Sequence, residues 1–297
     1  MKIAERMLKL VIFTLFVSAC ARPQDLDTNR VLPLSQELFN VSDIKFEQIE
    51  AKPAPEIVNN DASYGYAVDF SLPTSLSQMK CLKSANYAAI FVRAFTPSGS
   101  GAFDTNSVAT IRNAYSAGLG IEVYMTPQPI SSLQGYQQFD LLYNGLVNNG
   151  ITVRSIWIQV TSPVNWSKTV TTNINFINSI ISRAQQHGLS VGIYTSQYDW
   201  NQITGNWVTA GSNLMLWYWN VYGPGVTGET PATFADFRAF GSFKQPSVKQ
   251  YAQVESLCNL VVNRDVYAVG IPAAAAAATK TDLTNSKNIV VGGVIRQ

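Results

Sequence analysis

A single histidine, His187, stands in 297 residues, at a helix-to-strand joint, so no second histidine is there to serve a serine-histidine triad and there is no His-rich zinc centre. Charge is also scarce. Lys, Arg, Asp and Glu make up 13% of the chain, about half the usual share, and the net charge is +2 with no dense Lys/Arg run. Nucleic acid is therefore not an expected partner. The Gly-rich stretch Pro97 to Gly101 lacks the Lys-Ser/Thr ending of a phosphate loop, and no stretch approaches the roughly 20 apolar residues of a membrane span. The most local absence is acidic: from Leu141 to Tyr198 there is no Asp or Glu. No metal or organic cofactor is implied, and carboxylate-driven hydrolysis is the enzyme chemistry left by elimination.

What is present starts with an address. Lys2, Arg6 and Lys9 precede the apolar run Leu10 to Val17, which leads into Ala19-Cys20-Ala21, a small-x-small cleavage pattern. Residues 1–21 thus read as a secretory signal, with a lipoprotein box on Cys20 as the rival reading. After cleavage Cys81 and Cys258 remain, an even pair in an oxidising compartment, which favours one disulfide over two buried thiols. Asn40 and Asn165 each open an Asn-x-Ser sequon and are candidate glycosylation sites in a eukaryotic host.

Residues 22–63 are rich in Pro, Asp, Asn and Glu without sustained periodicity, and read as a pro-region or flexible lead-in. Residues 271–297 hold the alanine run Ala273 to Ala278 and read as a low-complexity tail. Between them strand and helix patterns alternate. Strands are expected at 64–70, 87–95, 119–125, 153–160, 190–195, 214–219 and 248–254, with a last one near Asp265, and helices at 75–86, 104–117, 133–149 and 168–187. Ala117-Gly118-Leu119 and His187-Gly188-Leu189 place Gly where a helix should end in a left-handed cap, which gives His187 a cap or packing role. Eight strands alternating with helices predict an α/β fold, a compact and somewhat irregular eight-stranded β/α barrel over 64–270, with an open doubly wound sheet as competitor.

Several strand ends carry a resemblance: YAVDFS at 66–71, FVRAF at 91–95, SAGLGIEVY at 116–124, HGLSVGIYTS at 187–196 and VKQYAQVESLCNLVVNRDVY at 248–267. Together they resemble glycoside hydrolase family 25, the Chalaropsis-type lysozymes, and within it the lysozyme-like proteins of nematodes and amoebae. The resemblance implies a barrel that cleaves peptidoglycan, so bacterial cell-wall glycan is the implied partner. It also implies acidic residues at several strand ends: Asp69 matches the first-strand Asp, Asp265 the last-strand Asp after a Gln-Tyr pair, and Tyr124 an aromatic contact to sugar.

The same resemblance calls for Asp-x-Glu at the end of the fourth strand, where i and i+2 share a face. The sequence reads Gln159-Val160-Thr161, and the acid-free interval allows no shift of register to restore the pair. Neither an amide nor an alcohol can act as general acid, a role usually worth about 10²–10⁴ in rate. Three readings stay open: hydrolysis through Asp69, Asp265 or Glu122; glycan binding through Gln159, Thr161, Tyr124 and Trp217; or an interaction protein using only the surface. Glu122 reads first as a structural polar group of the barrel, and Asp199 as a helix-start cap. Trp217 and Trp219 divide between packing and sugar contact, while Trp157 shares the inward parity of Gln159.

Overall fold

The computed structural model of the chain describes residues 49–55, 64–209, 213–269 and 289–295. Within them a sheet closes on itself into an eight-stranded barrel. Its strands are β1 (Tyr64–Phe70), β2 (Ala89–Thr96), β4 (Gly120–Met125), β6 (Ser155–Gln159), β7 (Ser190–Thr195), β8 (Leu214–Trp219), β9 (Val248–Leu257) and β10 (Leu260–Ala268). Neighbours from β1 through β9 pair in parallel, and β10 runs antiparallel between β9 and β1. A two-residue strand, β3 (Ala102–Phe103), doubles back on β2.

Helices α1 (Leu76–Ser84), α2 (Asn106–Ser116), α3 (Gly135–Asn148), α4 (Val170–Gln186) and α5 (Gln197–Thr204) follow strands β1, β3, β4, β6 and β7. Local sequence explains their ends. Ser75 caps α1 in a reciprocal box with Gln78, and Gly118 and Gly188 take left-handed φ of +72° and +73° after α2 and α4. The alternation expected from sequence stops after α5. A loop and one 3₁₀ turn join β8 to β9, and β9 joins β10 by a tight hairpin in which Cys258 and Asn259 both have positive φ. Cys258 is bonded to Cys81 of α1, so the hairpin is tied to the first helix.

The expected strand 153–160 is in fact two. β5 (Ile151–Val153) pairs with β11 (Ile289–Val291) in a separate small sheet, and the barrel strand begins at Ser155. Residues 289–295, part of the segment read from sequence as a low-complexity tail, pack on the barrel end opposite the strands' carboxyl ends. The residues expected to form the signal, Cys20, Asn40 and the alanine run lie outside the described residues. No helix among the described residues is long and apolar enough to cross a membrane.

Strand alternation divides the core in two. Outward side chains such as Val68, Ile90, Val123, Ile156 and Ile193 meet the helices. Inward ones from all eight strands, among them Phe91, Tyr124, Trp157, Tyr194 and Trp217, fill the barrel together with Val294 and Ile295 from the C-terminal segment. The Trp157 indole fits because the residue beside it on β7 has no side chain. A Cβ on Gly192 would lie 2.2 Å from the Trp157 ring.

Candidate functional site

In a β/α barrel the functional face is formed where parallel strands end, and here that mouth is ringed by the ends of β1, β2, β4, β6, β7 and β8. Asp69 sits one residue from the end of β1 and is 3% exposed. Its Oδ2 accepts from Gln250 Nε2 at 2.6 Å and its Oδ1 from Asn263 Nδ2 at 2.9 Å. Both donors are themselves held. Tyr194 donates its hydroxyl to Gln250 Oε1 at 2.9 Å, and Asn263 Oδ1 accepts the backbone N–H of Val254 at 3.0 Å. Val254 is a β-branched residue at φ +57°, so the backbone is strained where it orients Asn263.

Asp265 lies one step deeper and is fully buried. Its Oδ1 accepts from Trp217 Nε1 at 2.8 Å, while its Oδ2 is buried with no donor from another described residue except the neighbouring Asp69 carboxyl. Two carboxyl oxygens placed against each other are compatible when they share a proton. Burial raises both groups: Asp69 is pushed up to about 6 despite its bonds from Asn263, Gln250 and Asp265, and Asp265 is raised well above the carboxylate range by burial and then by the charge of Asp69. Asp69 has two amide donors that favour its charged form, so Asp265 is the partner that keeps the proton. Asn263 and Asp265 share a face of β10, and its unbroken antiparallel register with β1 sets them opposite Asp69 and Ala67.

Across the mouth, Gln159 and Thr161 form a neutral relay. Thr126 Oγ1 donates to Gln159 Oε1 at 2.6 Å, and Gln159 Nε2 donates to Thr161 Oγ1 at 3.0 Å. Both residues are partly exposed. Asn165 lies at the end of a 3₁₀ turn, Pro163–Asn165, beside the same small pocket.

Other residues singled out from sequence fall elsewhere. Trp217 is not a sugar platform at the surface. It is completely buried, stacks on Tyr194 with ring centroids 4.0 Å apart, and meets Phe91 and Trp157, because its strand parity turns it into the barrel axis. Tyr124 is 6% exposed and packs edge-on against Trp217, so it too belongs mainly to the interior. Glu122 points to the opposite end of the barrel. Its carboxylate accepts from Ser155 Oγ, Trp157 Nε1 and the backbone N–H groups of Val294 and Ile295 at 2.8 to 3.1 Å, and burial still raises its pKa. It is an anchor for the C-terminal segment.

Asp199 is not the helix cap; Ser196 is, with its Oγ accepting from Asp199 N at 3.0 Å. The Asp199 carboxylate instead accepts from Ser196 and from the indole of Trp219, both at 3.0 Å, and so pins the partly exposed Trp219 at the mouth. His187 closes α4 and packs on Tyr143, with centroids 4.2 Å apart. Sequence reasoning noted Gln250 only as half of the Gln-Tyr pair and gave no role to Asn263, Tyr194 or Thr126. Only Gln250 carried a signal, the Gln-Tyr pair, since Asn263 and Tyr194 are ordinary strand residues and Thr126 an ordinary residue just past β4 until the barrel closes.

Comparison with known proteins accords with this architecture. Residues 60–251 match the family model described as Lysozyme-like protein 1. The chain is 71% identical over 296 residues to Lysozyme-like protein 1 of Caenorhabditis elegans, covering 97% of this chain and 99% of that protein. It is 31% identical over 194 residues to a probable GH family 25 lysozyme of Dictyostelium discoideum, covering 65% of this chain and 86% of that one. The bacterial lysozyme of Streptomyces coelicolor superposes with a TM-score of 0.55 at 22% identity over 74% of this chain and 99% of the other, a likeness of fold. With its closed β/α barrel and its strand-end aspartate on β1, the chain belongs to the lysozyme-like proteins of the glycoside hydrolase family 25 type.

Proposed function

We propose that this is a secreted protein of antibacterial defence or digestion that recognises bacterial cell-wall glycan at the barrel mouth without the proton donor of an active family member. The observation that carries the reading is the closed relay Thr126–Gln159–Thr161, which puts amide and hydroxyl groups where the family resemblance places two carboxylates. Departure of a glycosidic oxygen requires a proton from a group titrating near the working pH, and neither side chain supplies one. Sugar recognition needs what remains: neutral hydrogen bonders beside partly exposed aromatic surface such as Trp219. The charged and apolar runs that open the sequence support secretion.

A second reading keeps hydrolysis. It is favoured by Asp69, whose pKa of about 6 suits acid–base work beside a protonated Asp265. Burial argues against it, since Asp265 has no exposed surface and Asp69 very little.

The test is reducing-end release and sacculus binding by the purified protein beside the Gln159→Asp, Thr161→Glu double variant. Binding without release by the natural protein, with release gained in the variant, is the expected outcome. Steady release by the natural protein, lost in Asp69→Asn with folding intact, would establish the second reading. Absence of both binding and release would remove the glycan reading altogether.

A further inference from the structure

β9 turns straight into β10, so no helix stands between them on the outer face of this hairpin. Two other pieces of chain lie there. Ala51, from residues 49–55, donates its backbone N–H to the Ser256 carbonyl at 2.7 Å, and the segment that leaves β8 donates from Gly225 N to Gln253 O at 2.8 Å and from Thr230 N to Tyr251 O at 2.9 Å. The second piece belongs to the rim of the mouth. It starts beside Trp219, carries the largely exposed Tyr222, and touches Gln253, whose side chain donates to Gln250, the holder of Asp69.

Between these pieces Arg264 points outward, since its neighbours Asn263 and Asp265 point into the barrel. Its Nε donates to Tyr87 Oη at 2.7 Å, its Nη2 to the Pro53 carbonyl at 3.4 Å, and its Nη1 to two acids at once, Glu229 Oε1 at 2.8 Å and Glu255 Oε2 at 3.1 Å. One cation therefore faces two carboxyl groups. The Glu255 side chain is sealed from solvent, its Oε1 receives no hydrogen bond from an N–H or hydroxyl donor among the described residues, and the carboxyl within reach of it is that of Glu229. Glu229, by contrast, is 33% exposed. Among the described residues no further cation pairs with either acid: Lys249 of β9 is taken by Asp236 at 2.8 Å, and Lys52 on the covering piece is exposed. Tyr87 and Tyr251 are the remaining titratable groups against Arg264.

Two carboxylates on one buried guanidinium repel, whereas a carboxyl and a carboxylate can share a proton. Burial holds the Glu255 carboxyl up at about 7 against the pull of Arg264, and Glu229 adds to the rise. With its proton in place Glu255 is a neutral donor to Glu229, which is then gripped from two sides. When the proton leaves to solvent, the sealed Glu255 takes Arg264 as its counter-charge, and Glu229 is the acid that can turn into water. The other tie of this loop, Asp236 to Lys249, is a plain ion pair and does not share the proton, so release is confined to the stretch before it.

We infer that Glu229, Arg264 and Glu255 form a proton-operated latch, which fastens the rim segment 220–230 to the β9–β10 hairpin in acid and releases it towards alkaline pH beside the supports of Asp69. The inference goes beyond the glycan reading and does not depend on what the mouth binds.

The test is hydrogen exchange of the full-length protein from pH 5 to pH 9, expressed as protection relative to the intrinsic exchange rate at each pH. Linkage of one proton, bound at about 7 in the latched form and at about 4 once Glu255 is hydrated, predicts that protection at the amides of Gly225 and Thr230 falls about 10-fold from pH 6 to pH 8 while β7 holds. Glu255→Gln and Glu229→Gln, each checked for native circular dichroism, remove the second negative charge and should make that protection flat with pH. If the buried variant fails to fold, the exposed one carries the test alone. Constant protection at Gly225 and Thr230 in the natural protein would overturn the latch. A fall that persists in a folded variant would assign it to another group, and an equal fall in β7 would make it a property of the whole barrel; either result overturns the inference.

Discussion

Trp217 on β8 donates its indole N–H to Asp265 on β10 at 2.8 Å, a bond that crosses the barrel interior and is sealed from solvent at both ends. It is the one hydrogen bond from a neutral donor that Asp265 receives, and it ties the aromatic pillar of the barrel to the aspartate pair. Trp217→Phe keeps much of the ring packing but removes the donor. Loss of about 1–3 kcal/mol in denaturant-induced unfolding is expected, the usual cost of leaving a buried acceptor unpaired.

The proton between the two aspartates gives the pair an asymmetry that isosteres can read. Asparagine at 265 mimics a protonated acid, with its oxygen left for Trp217 and its amide hydrogens for Asp69. Asparagine at 69 must instead turn an N–H toward the Gln250 or Asn263 donor. Asp265→Asn should therefore stay within about 1 kcal/mol of the natural protein and Asp69→Asn should cost about 1–3 kcal/mol. The reverse order in urea titrations would show that Asp69 holds the proton.

Stability should depend on pH in an unusual direction. Asp69 is raised to about 6 and Glu255 to about 7, first by burial in each case, so the folded protein binds protons in a range where the unfolded chain, titrating near 4, does not. A raised carboxylate contributes stability that is present below its unfolded pKa and lost as pH rises through its folded value. Asp236, lowered by its bonds from Lys249, Tyr218 and Asn220, works the other way but is alone in doing so among the shifted carboxylates. The melting temperature is expected to rise, or at least hold, from pH 8 to pH 5. A steady fall over that interval would contradict the burial of these groups.

The anchor at the far end of the barrel predicts a local effect. Glu122→Gln replaces one acceptor-only oxygen with an N–H₂ that faces two of the four donors, and should cost about 1–3 kcal/mol. Hydrogen exchange at the amides of Val294 and Ile295 should accelerate more than exchange in β7 or β8, since the segment opens before the barrel does.

The disulfide between Cys81 and Cys258 spans 177 residues. Replacing both cysteines with alanine should lower stability by about 3–5 kcal/mol on the loop-entropy account. Comparison with the reduced natural protein would separate chain restriction from lost packing.

Much of the barrel was legible because its signals are local. Period-2 alternation in YAVDF, GIEVYM and SVGIYT marks strands, and Gly118 and Gly188 mark helix ends, whatever the rest of the chain does. Parity also put Trp157 and Gln159 on one face. What parity does not give is depth. Trp217 and Trp219 share a face two residues apart, yet one is the buried pillar and the other reaches the mouth, because the barrel closes above the first and ends at the second.

The sequence by itself determined the barrel strands and the first four helices in outline, the family, and the loss of acids between Leu141 and Tyr198. Tertiary structure decided what those residues became. Closure through an antiparallel hairpin brought Asn263 and Asp265 against Asp69, residues nearly 200 positions away in the chain, and a short β-strand near the C-terminus claimed Glu122 as its anchor. Such contacts are set by loop closure and by the desolvation of whole side chains, and neither is encoded in any local window of sequence.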